Sequence, residues 1–456
     1  MRVGALMLLV LVSAVAVPLL FNSPAPAADT RLNVVVIMTD DQPFDTLPHD
    51  PPLMPFLQSR LEAQNDHWIQ FSNAFVEVPL CCPSRATVLS GRYSHNTGVH
   101  TNEDGHLFDD SSTLATWLHD AGYTTALVGK YLNLYPFGRG PFVPPGWDRW
   151  DGKEQGDETS LYRNFTLVQD GTPVFYGADS YSTDVFNGLA VDFINQAPAE
   201  RPFFLYLTPT APHAPWLPAP RHAGALDGVS LAPSPSVWET DVSDKPAWVQ
   251  ALPLPTPARR AKLEAGRRHS YETLLALDES VHSIIDALKQ KGVLDNTVIL
   301  YLTDNGFSFG EHRWVTKRCP YDECIRTPFV VRMPGAVPRT EQLPVSLVDL
   351  APTIAELAGI EPPSTINGLS FASALRGQVT QGWPEGQLSE FIGDGVVPQW
   401  WALRTERFAY VEYVTGEREL YNTVLDPHQF NNVIDDPIYA SDVERLAAQL
   451  AAFRKA

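Results

Sequence analysis

Asp40 and Asp41 stand side by side directly after an apolar run, and Asp304 and Asn305 stand side by side directly after another. These four side chains offer only oxygen, the donor type that suits a hard cation such as calcium or magnesium better than zinc. Asp304-Asn305-Gly306 also reads as a tight turn, because Asn and Gly tolerate positive φ, and the turn and ligand roles are compatible. Cys81 opens the run Cys81-Cys82-Pro83-Ser84-Arg85, which Leu89-Ser90-Gly91-Arg92 follows. A free cysteine is ordinarily a small buried hydrophobe. Lys130, in Gly129-Lys130-Tyr131, and Lys317, shortly after Gly310-Glu311-His312, read on their own as solvated surface lysines. His213, in Ala211-Pro212-His213-Ala214-Pro215, belongs to the residue type that exchanges protons near neutral pH.

Such residues need elements to bring them together. Segments 34–38, 123–128, 203–207 and 298–302 are continuous apolar runs, the pattern of strands buried on both faces of a parallel sheet. Each run ends in polar residues: Asp40 and Asp41, Lys130, Thr208 ahead of His213, and Asp304 and Asn305. In open α/β sheets ligands bind outside the carboxyl ends of the strands, so four such ends can converge on one site. Helical spacing over 54–63, 114–121 and 271–291, the last closed by Gly292, alternates with the strands and predicts a layered α/β domain. Residues 209–257 are proline-rich, lack a sustained period and carry Trp216, Trp238 and Trp248, which marks the segment as a pocket wall or a surface excursion. Short strands over 400–413 and 417–421 and a helix over 441–454 predict a small terminal α+β unit.

The cysteine run and Leu89-Ser90-Gly91-Arg92 resemble the signature of the sulfatases. That resemblance spans residues 33–334 and continues thinly through 404–427. It implies that Cys81 is oxidised by a formylglycine-generating enzyme to formylglycine, whose hydrate supplies an oxygen nucleophile. It implies a metal shell of Asp40, Asp41, Asp304, Asn305 and modified Cys81 holding calcium, or magnesium. Arg85 would brace the hydrate, Lys130 and Lys317 would bind sulfate, and His213 would protonate the leaving alcohol. Many family members carry a histidine two residues after the first lysine; this chain has Leu132 there, then Asn133, which cannot act as a base. His95 and His312 are the remaining candidates for that step. The run Gly129-Lys130-Tyr131-Leu132-Asn133 resembles the N-acetylglucosamine-6-sulfatase branch. The implied fold is alkaline-phosphatase-like, a mixed sheet flanked by helices with a small C-terminal α+β domain. The implied activity is hydrolysis of sulfate esters, on a sugar such as N-acetylglucosamine 6-sulfate or on aryl sulfates. A phosphonate monoester or phosphodiester hydrolase with the same nucleophile, or an unmodified sulfated-glycan binding protein, are the alternatives.

The whole chain sets further bounds. It has 456 residues, 44% hydrophobic and 19% charged, the composition of an ordinary globular protein. A formal charge of −20 disfavours nucleic acid and long polyanions, and points to small or chain-terminal sulfate esters. Arg2, the apolar stretch 5–20 and the small residues before Asp29 read as a signal peptide over 1–28, hence export without stable membrane insertion. Expected domains are 29–377, catalytic, and 378–456, C-terminal. Cys319 and Cys324 are either a local disulfide or two thiols, and Asn164-Phe165-Thr166 is a glycosylation sequon.

Overall fold

The computed structural model describes residues 31–156 and 158–456; the expected signal peptide, 1–28, lies outside them. A ten-stranded mixed sheet runs through the molecule. In chain order its strands are β1 (Asn33–Thr39), β2 (Trp68–Phe71), β3 (Thr124–Gly129), β4 (Arg149–Lys153), β5 (Phe165–Gln169), β6 (Thr172–Tyr176), β7 (Phe203–Thr208), β8 (Thr297–Thr303), β9 (Phe329–Arg332) and β10 (Arg339–Glu341). Their spatial order is β10-β2-β9-β8-β1-β7-β3-β4-β5-β6. The central strands β8, β1, β7, β3 and β4 are parallel, and antiparallel pairs flank them.

The apolar runs explain this centre. Successive strand residues point to opposite faces, so a strand without polar positions needs cover on both sides. Val34, Val36 and Met38 of β1 join one hydrophobic core, while Val35 and Ile37 join a second. Helices α1 (Cys81–Ser90), α2 (Leu114–Asp120) and, later in the chain, α5 (Leu350–Leu357) cover the first face. Helices α3 (Ser182–Gln196) and α4 (Pro257–Lys291) cover the second. The layers are those of an α/β domain.

Helix α4 begins at Pro257, well before the start expected near Tyr271. Thr256 accepts a hydrogen bond from the Arg259 N–H as an N-cap, and Pro257 follows at the position where its missing N–H costs nothing. Gly266 sits inside the helix because a Cβ there would meet the Trp216 ring at 2.5 Å.

A second sheet follows, with strands β11 (Gly386–Phe391), β12 (Trp400–Thr405), β13 (Phe408–Tyr413) and β14 (Arg418–Asn422), antiparallel throughout. Helix α6 (Ala440–Phe453) packs Val443, Leu446 and Leu450 on its outer face. The inner face, with Trp400, Ala402, Val411 and Tyr421, joins the first core of the large sheet. Arg404 of β12 crosses that junction and grips Asp322 with two hydrogen bonds, 2.8 and 2.9 Å. Among the described residues, no helix is long and apolar enough to cross a membrane.

Burial pushes the Asp322 carboxyl up, but Arg404 and then Arg326 outweigh it and hold the group below its ordinary range. Its stabilising contribution is therefore complete above the unfolded carboxyl value and is lost as pH falls through the lower folded value. Arg404→Ala leaves this buried carboxylate without its main partner, and should cost about 3–5 kcal/mol near neutral pH. Urea unfolding at neutral and strongly acid pH checks this: the deficit should be large in the first and shrink in the second.

Candidate active site

The carboxyl ends of β1, β3, β7 and β8 open on one cleft. Asp40 and Asp41 follow β1, where Asp41 takes a left-handed backbone, φ 65°. The Asp304 N–H donates to Thr39 O at 3.1 Å, and the Asp41 N–H to Asp304 Oδ1 at 3.2 Å, so the two acidic pairs share one hydrogen-bonded corner. Cys81 begins α1, and Arg85, one turn on, lies on the same face of that helix. Cys81 Sγ is 3.2 Å from Asp40 Oδ1, and Lys317 Nζ is 2.8 Å from Cys81 Sγ.

Cations answer the carboxylates in turn. Arg85 Nε donates to Asp304 Oδ2 at 2.7 Å and Nη1 to the Lys130 carbonyl at 3.0 Å. Lys130 Nζ reaches Asp40 Oδ2 at 2.5 Å, and Lys317 Nζ reaches Asp41 Oδ1 at 2.6 Å. His213 Nε2 lies 3.5 Å from Asp41 Oδ2. Its Nδ1 is 2.6 Å from the Ala214 carbonyl, which can only accept, so Nδ1 carries a proton and Nε2 faces the cleft. Burial raises the Asp40 carboxyl, but Lys130, His213, Arg85 and Lys317 outweigh it and hold it well below the carboxylate range. Asp304 is pushed up by burial and by Asp40 beside it, against Arg85 and Lys130. Burial likewise raises the Cys81 thiol far above its ordinary value.

The donor set fits a hard cation. Each arginine or lysine engages one oxygen of its carboxylate: Asp40 Oδ2, Asp41 Oδ1 and Asp304 Oδ2. Asn305 Nδ2 donates to Asp41 Oδ1 at 2.6 Å, while the buried Asn305 Oδ1 has no protein partner. An orphaned buried acceptor among three carboxylates is the arrangement a cation completes. Ligand atoms of Asp40, Asp41, Cys81 and His213 lie within 4.8 Å of one another. Asp304 and Asn305 join them through the contacts above.

The structure thus brings together every residue singled out in the sequence for the metal, the nucleophile and the anion. His95 and His312 lie elsewhere. His95 Nδ1 is held by Glu390 at 3.0 Å, and His312, fully buried, by Glu239 at 2.7 Å. Leu132 is buried in the apolar core. Segment 209–257 delivers Thr210 and His213 to the cleft; Trp216 and Trp248 are anchors, packed on Phe307 and Phe309 and on Trp314, while Trp238 lines a separate cavity.

Two cavities flank the cluster. One, about 200 Å³, is lined by Asp40, Lys130, His213, Asn133, Lys153 and Gln155. The other, about 320 Å³, is lined by Lys317, Arg318, Asn102, Leu80, Phe391 and Asp394. A larger cavity of about 590 Å³, beside Trp238 and Asp244, touches none of the cluster. Sequence reasoning missed Asn102, whose Oδ1 accepts the Cys82 N–H at 3.0 Å, and Ser84, which donates to Asp304 O at 2.6 Å. It also missed Lys153: β4 reads Arg-Trp-Asp-Gly-Lys, with no apolar run to announce a strand end.

Comparison with known proteins agrees with this geometry. A family model described as Sulfatase matches residues 32–360, and one described as N-sulphoglucosamine sulphohydrolase, C-terminal, matches 310–456. An arylsulfatase of Volvox carteri is 32% identical, over 90% of this chain and 72% of that protein. An N-acetylglucosamine-6-sulfatase of Homo sapiens is 33% identical, over 81% and 69%. A solved structure in complex with its substrate, D-glucosamine-2-N,6-O-disulfate, superposes with a TM-score of 0.81 at 24% identity, over 93% of this chain and 98% of that one. The phosphonate monoester hydrolase of Agrobacterium radiobacter gives 0.77 at 22% identity, over 93% and 96%. At those identities the two structures bear on the fold alone. The chain belongs to the sulfatase family. It is a sulfuric ester hydrolase on an alkaline-phosphatase-like fold.

Gly129 aims Lys130 into the site. Its φ is 115°, and a Cβ would lie 2.3 Å from the Thr208 carbonyl. Gly129→Ala should cost roughly 3 kcal/mol. In assays corrected for folded fraction by circular dichroism, turnover should still fall, because Lys130 moves with the strand end.

Proposed function

We propose that Cys81, after conversion to formylglycine by a formylglycine-generating enzyme, is the nucleophile that cleaves small or chain-terminal sulfate esters of sugars such as N-acetylglucosamine 6-sulfate, with aryl sulfates as activated substrates. One observation carries this reading: Cys81 Sγ lies 3.2 Å from Asp40 Oδ1 and 2.8 Å from Lys317 Nζ, where four strand ends meet. The encoded thiol is a poor nucleophile there, since burial opposes the thiolate. A hydrated aldehyde at the same carbon offers oxygen in place of sulfur.

Asp40, Asp41, Asp304, Asn305 and the oxygen formed at Cys81 would hold one calcium or magnesium ion. That ion, when bound, supplies Lewis-acid charge beside the nucleophile and the sulfate. Arg85 orients Asp304 and opposes the rise that burial and Asp40 impose on its carboxyl. Lys130 and Lys317 offer ammonium groups to the sulfate oxygens, on which charge builds during transfer. The hydrate oxygen attacks sulfur, the bond from sulfur to the sugar oxygen breaks, and His213 Nε2 gives that oxygen a proton. With Nδ1–H committed to Ala214 O, Nε2 can donate only from the imidazolium form. Export through a signal peptide over 1–28 completes the proposal, as do a catalytic domain over 29–377 and a C-terminal domain over 378–456.

The reading is tested by peptide mass spectrometry of the active enzyme together with sulfate release from sulfated monosaccharides, an aryl sulfate and an aryl phosphonate. Formylglycine at Cys81, loss of turnover in Cys81→Ala and preference for the sulfates are expected. An unmodified thiol at Cys81 in fully active protein would overturn it, and a faster phosphonate reaction would reassign the substrate class.

Replacing His213 by Ala should hurt poor leaving groups most. A sugar alcohol needs the proton and a nitrophenolate does not, so the loss should be larger for the sugar sulfate by roughly 10²-fold or more. Equal losses on both substrates would place His213 in sulfate binding instead.

A further inference from the structure

Cys319 and Cys324 are joined by a disulfide, with Cα atoms 5.7 Å apart. We infer that this bond is a positioning device for Lys317, setting the lysine's place against Cys81 and Asp41 and thereby the affinity for the substrate's sulfate group. The inference rests on the reading of Lys317 as a sulfate ligand.

Lys317 lies on a path that the chain does not hold unaided. Its neighbours Thr316 and Arg318 both adopt left-handed backbones, φ 94° and 84°, which are costly for residues with a Cβ, the more so for β-branched Thr. Outside restraints must keep them there. The Trp314 indole donates to the Lys317 carbonyl at 2.8 Å, and the Trp400 indole to the Arg318 carbonyl at 2.9 Å. Arg318 pairs with Asp394. The disulfide is the one covalent restraint, and it begins two residues after Lys317.

Its other end is fixed to the metal corner. The Gly306 N–H donates to the Cys324 carbonyl at 3.0 Å, directly after Asp304 and Asn305. The turn that carries Cys324 is anchored on the C-terminal sheet and the segment after it: Asp322 by Arg404, the Asp322 N–H by Gln429 at 2.9 Å, and the Tyr321 hydroxyl by Glu419 at 3.0 Å. One bond therefore ties the loop bearing Lys317 to the elements bearing Asp304 and Asn305. A ring this short constrains the unfolded chain less than a long one does, so its effect falls on local geometry more than on global stability. Both cysteines are buried, 1% and 0% exposed, so the folded enzyme keeps the bond out of reach of passing thiols.

The test compares wild type, Lys317→Ala, the double variant Cys319→Ala/Cys324→Ala, and all three changes together, by the inhibition constant of inorganic sulfate, KM and kcat on an aryl sulfate, and thermal midpoint. The double variant should raise the sulfate inhibition constant and KM by roughly ten- to a hundredfold, as displacement of a binding group by about 1 Å does. Adding the cysteine changes to Lys317→Ala should raise them little further, since both act on one group. A double variant with unchanged sulfate affinity and only a lower thermal midpoint overturns the inference and leaves the bond a simple brace. If Lys317→Ala itself leaves sulfate affinity unchanged, the reading of Lys317 fails and the inference with it. If Lys317→Ala weakens sulfate binding and the double variant does not, only the inference fails. Should the double variant not fold, wild type reduced by dithiothreitol in mild urea, with its freed thiols counted, replaces it. A weaker sulfate affinity that returns on reoxidation with oxidised glutathione supports the inference, and an unchanged affinity overturns it.

Discussion

Three buried carboxylates, Asp40, Asp41 and Asp304, face the buried Arg85 and Lys317 and the partly buried Lys130, and the rest of the molecule is arranged so that they can. A single ion taken out of water costs several kcal/mol, and removing one partner of a buried pair leaves that cost uncompensated. No member of the set is stable where it lies unless the others arrive from distant parts of the chain. Arg85 comes from a helix, Lys130 and the acids from strand ends, Lys317 from a loop. The chain's formal charge of −20 has no counterpart in this local balance. What the balance lacks is a partner for the Asn305 oxygen and relief of the like charge on Asp304, and a bound cation provides both.

The scaffold achieves convergence by burying its central strands on both faces. Alternate residues of β1, β7 and β8 enter different cores, so a register slip of one residue would exchange the two faces and misplace every strand end. The C-terminal sheet then closes the far side: its inner face joins the first core, and Arg404, Glu419 and Trp400 hold the turn and loop around Lys317. The cleft side chains that follow strands are thus placed by the sheet itself. The loop-borne lysine depends on a second sheet and on side-chain anchors.

That division explains what could be read from the sequence. Runs such as 34–38 and 298–302 announced strands, and the polar pairs after them announced the side chains that meet in the cleft, because burial on both faces excludes polar residues until the strand leaves the core. Strand β4 was invisible for the opposite reason, since Arg149, Asp151 and Lys153 interrupt it, and Asp151 is met by Arg149 within the strand and by Gln169 of β5. Pro257 and Gly266 have the look of helix breakers, yet one starts α4 and the other makes room for Trp216. The pairing of Cys319 with Cys324 was open because spacing permits both states, and only the turn over 320–323 brings the sulfurs together. The tryptophans of 209–257 left a pocket wall and a surface excursion both open, because whether an indole lines a pocket or fills a core is a matter of long-range packing.

Leu132 and Asn133 show how one substitution of type changes what a wall of the site can do. At Leu132 the chain has an apolar side chain that packs into the core and exchanges no proton. Asn133 follows on the cavity surface shared with Lys130 and His213, with a buried side-chain oxygen that has no protein partner. An amide neither takes nor gives protons at neutral pH, but an unpaired one is costly until a donor meets it. His213 lines the same cavity and, with Nδ1 held by its own backbone neighbour, turns only Nε2 toward it.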